Sequence, residues 1–226
     1  QFWQTLIDPD VLRSFAVTFG AAAAATVVAM LTGVLLAYLL ARRKFRGKRL
    51  VEALINLPII IPHTAAGIAL LLVFGRQGVL GQWLTPLGVT FTDNLGGITL
   101  GMLFVSLPYL VNMSREAFAL VDEELERVAL IDGASAWQAF RYVSLPLAWR
   151  GVLAGAVMMW ARGISEFGAI VILAYNPKIV PVLVYERFNG FGLDSAQPVA
   201  ATLIVVAIIV FVLVQLFLMP GKKSSS

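Results

Sequence analysis

The chain has 226 residues, of which 59% are hydrophobic and only 13% are charged, and its mean hydropathy is +0.86. Soluble globular domains carry about 25% charged residues, so this composition cannot supply a hydrophilic surface of normal size. Length and composition therefore exclude a soluble enzyme, a nucleic-acid-binding module and a disordered linker. They predict an integral membrane protein.

Long stretches without Asp, Glu, Lys or Arg recur along the chain. About 20 apolar residues in a helix cross the hydrocarbon core of a bilayer, which is about 30 Å thick. Each uncharged stretch is long enough to do so: 14–41, 53–75, 94–114 and 195–221.

A fifth apolar stretch, 151–177, is interrupted only by Arg162 and Glu166. No polar loop separates its halves, so we predict one helix over 151–174 with both charges on one face, four residues apart. The predicted fold is an all-α integral membrane bundle in a single domain, residues 1–226. Its five transmembrane helices are expected at about 14–41, 51–74, 95–118, 151–174 and 199–219.

The basic residues are unevenly distributed between alternate inter-span segments. Twelve of the 17 Lys and Arg residues follow spans one, three and five, four lie in the other segments, and Arg162 lies within a span. The positive-inside rule then predicts an outside N-terminus and a cytoplasmic C-terminus. The net charge of +4 reflects this topology and attraction to anionic lipid headgroups, not a nucleic-acid partner.

Proline and glycine patterns mark special places in the spans. Pro58 and Pro62 each remove a backbone hydrogen bond, so the second span should be kinked or partly unwound there. The Gly-x-x-x-Gly patterns at 97–101 and 151–155 predict faces where helices pack closely. The absence of cysteine excludes disulfides and thiolate chemistry.

Residues 122–149 form the one sizeable soluble-looking segment, which the topology places on the cytoplasmic side. Asp122 can cap a first helix that Gly133 ends, and a second short helix over 134–143 should end at Pro146. Two such amphipathic helices can form a socket for a cytoplasmic partner. A loop that lies on the lipid headgroups is the alternative.

This segment resembles the importer permeases of ATP-binding-cassette (ABC) transporters. Their motif is Glu-Ala-Ala, three residues, Gly, nine residues, then Ile-x-Leu-Pro. Here Gly133 is followed after nine residues by Val143-Ser144-Leu145-Pro146, whereas Arg127-Val128-Ala129 occupies the Glu-Ala-Ala positions and Glu126 lies one position early. The resemblance implies ATPase-coupling roles for Glu126, Arg127, Ala129, Gly133, Trp137, Phe140, Arg141, Leu145 and Pro146.

Two further segments, 56–70 and 160–169, look like the molybdate and tungstate permeases within that family, and sulfate permeases share a looser form of the pattern. The resemblance implies a six-span fold whose first span this chain lacks. It also implies a homodimeric pore in the cell membrane, two docked ABC ATPase subunits and an external oxyanion-binding protein. No cofactor is then expected on this chain, and ATP and Mg belong to the partner ATPase.

The intramembrane charges are the strongest candidates for a translocation path. A charge at mid-span costs about 2.5–3.5 kcal/mol on insertion scales, so Arg162 and Glu166 should face protein or water. They can form a structural ion pair, gate the path of the oxyanion, or snorkel to headgroups. His63, the one histidine, can bond a carbonyl freed by a proline or line the conduit. The candidate gate and path residues are Pro62, His63, Thr64, Arg162, Ser165, Glu166, Phe167 and Gly168.

The sequence thus predicts the pore subunit of an ATP-driven molybdate or tungstate importer. A sulfate importer is the alternative within the class, and an ion-coupled carrier or channel the alternative outside it. One histidine, no cysteine and no clustered carboxylates argue against a membrane enzyme. Since the chain carries no Gly-x-x-x-x-Gly-Lys-Ser/Thr motif, the free energy must come from a separate ATPase.

Overall fold

The computed structural model describes residues 7–218, and residues 214–218 by their backbone alone. Throughout this range the regular elements are helices, in the order α1 (Pro9–Arg42), α2 (Lys48–Ile60), α3 (His63–Phe74), α4 (Gly81–Leu84), a 3-10 turn (Thr85–Leu87), α5 (Leu95–Ala119), α6 (Glu123–Ile131), α7 (Ala136–Ala139), a π-helical turn (Phe140–Ser144), α8 (Leu145–Ile164), α9 (Ile170–Leu173), α10 (Val180–Phe191) and α11 (Leu193–Leu218).

Four helices of the described chain are long and apolar enough to cross a membrane. They are α1, α5, the continuous run Ala136–Ile164 and α11 over Leu193–Leu213. The all-helical membrane fold is therefore confirmed, whereas the count of five spans is not. The end of the predicted span 199–219, at residue 219, lies outside the described residues, as do residues 1–6 and the basic residues at 222 and 223.

The predicted second span is broken in two. Helix α2 ends at Ile60, the next two residues are extended with ψ of 145° at Ile61 and 134° at Pro62, and α3 begins at His63. Proline disfavours helical backbone in the residue before it, which places the break at Ile61. The expected distortion at Pro62 is confirmed, while Pro58 lies inside α2.

The prediction of one helix over 151–174 is wrong. Helix α8 ends at Ile164, a turn follows over residues 165–169, and α9 is only the four residues Ile170–Leu173. The turn, Ser165-Glu166-Phe167-Gly168-Ala169, contains no proline, and the spacing of Arg162 and Glu166 also fits a continuous helix, so hydropathy and spacing did not indicate a break. The turn is closed by the Glu166 amide, which donates to the Gly163 carbonyl at 3.0 Å.

The prediction that Pro146 ends a short helix is also wrong. Pro146 lies in the first turn of α8, which continues without interruption from α7 through the π-helical turn. In this turn the Leu145 amide donates to the carbonyl of Phe140, five residues back. The wider turn accommodates the proline within a continuous helix, since a π-bulge absorbs one extra residue.

The core of the bundle is α5 packed between α1 and α8, and small residues set the distance between these helices. A Cβ built on Gly155 of α8 would lie 3.1 Å from Cβ of Met113 and 3.2 Å from the Leu110 carbonyl oxygen. A Cβ on Gly101 of α5 would lie 3.3 Å from Cγ1 of Ile170. The two Gly-x-x-x-Gly patterns are therefore confirmed as close-packing faces.

At the end of the bundle where α1 begins, α10 covers the spans. The buried Val180 amide donates to Oγ1 of Thr18 at 2.9 Å, and Arg187 pairs with Asp8, which caps α1. Helix α10, Val180–Phe191, has 12 residues and lies between the break-containing part of the chain and α11 in sequence.

We predict that Gly155→Leu lowers the melting temperature of the detergent-solubilised protein, because the new side chain must separate α8 from α5. Overpacking of this kind typically costs about 1–3 kcal/mol. Scanning fluorimetry measures the change. Gly20→Leu is the matched control, because Gly20 also lies in a spanning helix and has no atom within 4 Å of an added Cβ. Equal melting temperatures for the two variants would contradict the packing argument.

Candidate functional site

Three ionisable side chains meet where the two helix breaks come together. Nη2 of Arg162, in the last turn of α8, lies 2.9 Å from Oε2 of Glu166 and 2.8 Å from Nδ1 of His63. Nδ1 of His63, the first residue of α3, lies 2.9 Å from the same Oε2 atom. We call Arg162, Glu166 and His63 the break cluster.

The backbone around the break cluster is held close by a buried carboxylate and by glycines. Glu166 is fully buried, and its Oε1 accepts the Ala169 amide at 2.9 Å. A Cβ on Gly168 would lie 2.9 Å from Cβ of His63, and one on Gly67 would lie 2.7 Å from the Ala169 carbonyl oxygen. The start of α3 can approach the turn 165–169 only because these positions are glycine.

Charge in the break cluster is balanced. The positive Arg162 faces the negative Glu166, which has no exposed surface and therefore needs a partner, since an unpaired buried charge is strongly unfavourable. The side chains of Arg162 and His63 are 20% and 37% exposed. The guanidinium of Arg162, partly neutralised by Glu166, is therefore accessible at the surface of a single chain.

Polar groups surround the exposed side of the cluster. Oγ of Ser165 lies 3.3 Å from Nη1 of Arg162 and donates to the Arg162 carbonyl at 3.0 Å. Thr64 is exposed in the first turn of α3, and Pro62 is exposed in the extended break. Phe167 instead turns towards Tyr185 of α10, with ring centroids 5.1 Å apart.

The sequence-derived gate residues therefore fall on two short segments, 62–64 and 162–168, which the structure brings together. The predicted pairing of Arg162 with Glu166 is present, although it lies across a helix end and not along one helix. His63 contacts this pair and not a backbone carbonyl. Whether these residues form a gate remains a prediction.

A second candidate site is the surface formed by α6, α7 and the π-helical turn, which we call the α6–α7 surface. Asp122 caps α6 by accepting the Glu124 amide at 2.9 Å, and Gly133 ends it with φ of +93°. Both features were predicted. Large apolar side chains are exposed on this surface at Leu125, Val128, Leu130, Ile131, Trp137 and Tyr142.

Most of the predicted coupling residues lie on or beside the α6–α7 surface. Ala129 and Leu145 are partly buried, whereas the exposed members of the set are Arg127, Gly133, Trp137, Arg141 and Pro146. Arg127 pairs only with neighbours on its own helix, 3.6 Å from Glu123 and 3.5 Å from Glu124. Such exposed pairs contribute little to stability.

Two of the predicted coupling residues face the interior. Phe140 is buried, with its ring centroid 4.7 Å from that of Tyr38. Glu126 accepts hydrogen bonds from Nε of Arg42 at 2.8 Å, from the Tyr38 hydroxyl at 2.9 Å and from the Ser144 hydroxyl. Sequence reasoning missed Arg42, Tyr38 and Ser144, and assigned Arg42 only to the basic loop after the first span.

The surroundings of Glu126 keep its carboxylate ionised. Burial raises the pKa of Glu126, but the hydrogen bonds from Ser144, Arg42 and Tyr38 outweigh it and hold the pKa below its usual value. A lowered pKa in the folded state means that this carboxylate stabilises the fold at neutral pH. The contribution is lost only as the pH falls through the folded-state pKa, on the acidic side.

Helix α2 is attached to α5 by polar contacts that the sequence did not suggest. Nη1 of Arg115 lies 2.9 Å from Oε1 of Glu52, and Nδ2 of Asn112 donates to Oδ1 of Asn56 at 2.6 Å. Among the described residues, no group of three His, Cys, Asp or Glu side chains is placed to hold a metal ion.

Comparison with known proteins gives consistent matches. Residues 29–219 match the family model described as "Binding-protein-dependent transport system inner membrane component". The chain is 41% identical over 222 residues to the molybdate/tungstate transport system permease protein WtpB of Thermococcus kodakarensis, which covers 98% of this chain and 84% of that protein. It is 31% identical over 226 residues to the sulfate transport system permease protein CysT of Synechocystis, which covers 98% of this chain and 79% of that protein.

Among solved structures, the fold is similar to a chain of a bacterial ABC transporter involved in the import of the acidic polysaccharide alginate. The TM-score is 0.68, and the match covers 93% of this chain and 80% of that chain. Sequence identity is 17%, so this likeness concerns the fold alone.

Proposed function

The chain belongs to the family of binding-protein-dependent inner membrane components, as the sequence motifs indicated, and on that premise we propose that it is the permease subunit of an ATP-driven molybdate or tungstate importer. The observation that carries the substrate class is the 41% identity to a molybdate/tungstate permease, against 31% to a sulfate permease, each over 98% of this chain.

We infer that two copies of the chain enclose the path. Arg162 and His63 keep part of their surface exposed in a single chain, at the ends of apolar helices. Charged groups within membrane-spanning segments face protein or water and not lipid. A second copy that covers the break cluster would give it a water-filled path, which supports a homodimer.

The proposed partners follow from the surfaces and the family. Two ATPase subunits would dock on the α6–α7 surface on the cytoplasmic side, and they would hold ATP and Mg. An external oxyanion-binding protein would deliver the substrate at the end of the bundle where α10 lies. The apolar exposed side chains around Ile131 support docking, because contiguous apolar patches rimmed by polar residues mark interaction sites.

We propose that the break cluster is the gate. A permanent free guanidinium would bind a dianion tightly and release it slowly. Glu166 competes for the same Nη2 atom, so the oxyanion meets a cation that is already partly neutralised. The Thr64 hydroxyl and the first amides of α3 can donate hydrogen bonds to a passing oxyanion, since a helix start favours negative charge. The Ser165 hydroxyl can do so only when it leaves the Arg162 carbonyl.

Uptake by proteoliposomes tests the proposed substrate. The chain is purified with its co-purifying ATPase and reconstituted with the external binding protein. Radioactive molybdate uptake should require ATP and should be inhibited more strongly by tungstate than by an equal concentration of sulfate. Stronger inhibition by sulfate would favour the sulfate importer. ATP-independent uptake by a chain that purifies without an ATPase would favour the carrier or channel.

We predict that Ile131→Asp releases the ATPase from the purified complex. Ile131 is 83% exposed on the α6–α7 surface, and full burial of a side chain of this size against a partner is worth about 1.5–3 kcal/mol, which a charged Asp would lose. The ratio of ATPase to permease in the purified complex measures this release. Leu87→Asp is the matched control, because Leu87 is 76% exposed near the opposite end of α5. Equal ratios in both variants would place docking elsewhere.

We predict that Glu166→Gln slows molybdate uptake and lowers the half-saturating molybdate concentration, because the uncompensated Arg162 then holds the oxyanion longer. A change of about tenfold corresponds to 1.4 kcal/mol of extra binding. Concentration-dependent uptake separates the two parameters. Glu186→Gln is the control, because that carboxylate pairs with Lys178 at 2.7 Å outside the cluster. If both variants behave alike, the break cluster is structural and not a gate.

A further inference from the structure

Helix α6 is attached to the rest of the molecule chiefly by one side chain. None of its residues, Glu123–Ile131, is buried, and only Glu126 and Ala129 are partly covered. The side chain of Glu126, by contrast, is only 12% exposed and is bonded to two other elements. Apart from the backbone connections at its two ends, α6 is therefore linked to α1 and to the π-helical turn mainly through Glu126.

The partners of Glu126 come from the two helices that flank α5. Arg42, in the last turn of α1, is 7% exposed at its side chain and bonds Oε1 of Glu126 through Nε. Ser144, fully buried in the π-helical turn that leads into α8, donates to the same oxygen. Glu126 thus connects α6 with the end of α1 and the start of α8.

Arg42 extends this connection to α5. Its Nη2 donates to the carbonyl of Val121 at 2.8 Å, in the link between α5 and α6. The Tyr38 hydroxyl donates to Oε2 of Glu126, and the Tyr38 ring packs between Phe118 and Phe140 at 5.3 and 4.7 Å. These rings limit the access of water, and hydrogen bonds to charged groups are stronger in such surroundings.

We propose that Glu126, held by Arg42, Tyr38 and Ser144, is a positioning residue that transmits the movement of the docked ATPase from α6 to α1 and α8. The proposal rests on the proposed function, since it assumes an ATPase on the α6–α7 surface. Glu126 acts through its neighbours and makes no contact with the ATPase, because its carboxylate faces the spans. The π-helical turn at Ser144 lets the start of α8 follow α6, since such turns are sites of local adjustment.

Glu126→Gln tests the connection, because it keeps the shape of the side chain and removes the charge that Arg42 needs. In proteoliposomes, the ATPase should remain bound and ATP should still be hydrolysed, while molybdate uptake falls. The number of ATP molecules hydrolysed per molybdate should rise about tenfold, within the range typical of coupling between two sites. Glu52→Gln is the matched control, because it removes a carboxylate that pairs with Arg115 at 2.9 Å away from the α6–α7 surface, and its ratio should stay at the wild-type value.

Spin labels measure the transmission without reference to the substrate. Because the chain has no cysteine, single cysteines at Glu124 and at Arg43 report on α6 and on the end of α1. ATP should shift both distances between the two copies in the wild type, and only the distance at position 124 in Glu126→Gln. Wild-type protein that shows these shifts but takes up no molybdate would contradict the proposed function and leave the transmission supported.

Three results would overturn the proposal. An unchanged ratio of ATP to molybdate in Glu126→Gln would show that the contacts of Glu126 do not transmit the movement of the ATPase. Loss of the ATPase from Glu126→Gln but not from Glu52→Gln would make Glu126 a docking contact. If Glu126→Gln does not fold, Tyr38→Phe with Ser144→Ala removes two hydrogen bonds and leaves the pair of Arg42 and Glu126. A wild-type ratio in that variant would also overturn the proposal.

Discussion

The structure depends on the satisfaction of one fully buried carboxylate inside an otherwise apolar bundle. Glu166 has no access to water, so each of its oxygens requires a partner within the protein. One oxygen takes the Ala169 amide, which is free because the helix stops at Ile164, and the other takes Arg162 and approaches His63. The end of α8 and the buried charge beside it are therefore one arrangement, because the free amide that the helix end leaves is a partner that the carboxylate needs.

The same constraint explains why two broken helices meet. Unwound backbone at membrane depth is tolerated only where protein or water satisfies it. The extended residues Ile61 and Pro62 separate α3 from α2, and the turn 165–169 lies directly against the start of α3. Because Gly67 and Gly168 have no side chains, the two segments can approach closely. Each break thus covers the other, and the charged cluster lies at their junction.

Sequence reasoning predicted the class of fold and most of the chemistry, because hydropathy, proline and intramembrane charge act locally. The spacing of Arg162 and Glu166 correctly predicted that they pair, and Pro62 correctly predicted a distortion of the second span. It failed where the outcome depends on tertiary contacts. The turn 165–169 could not be recognised because it has no proline and the spacing of Arg162 and Glu166 also fits a continuous helix. Pro146 lies within a helix because the π-helical turn before it absorbs the extra residue. The contacts of Glu126 with Arg42 and Tyr38 link positions more than 80 residues apart.

The buried Glu166 in the break cluster and the partly buried Glu126 beneath the α6–α7 surface occupy matching positions in the architecture. Each neutralises one arginine, and each joins the start or end of α8 to a different helix: α3 for Glu166, and α1 and α6 for Glu126. Because α8 runs continuously from the π-helical turn to Arg162, one unbroken helix connects the surroundings of both carboxylates. A rigid helix with a paired charge near each end would suit the proposed coupling of the α6–α7 surface to the break cluster, because no charged group would have to cross lipid.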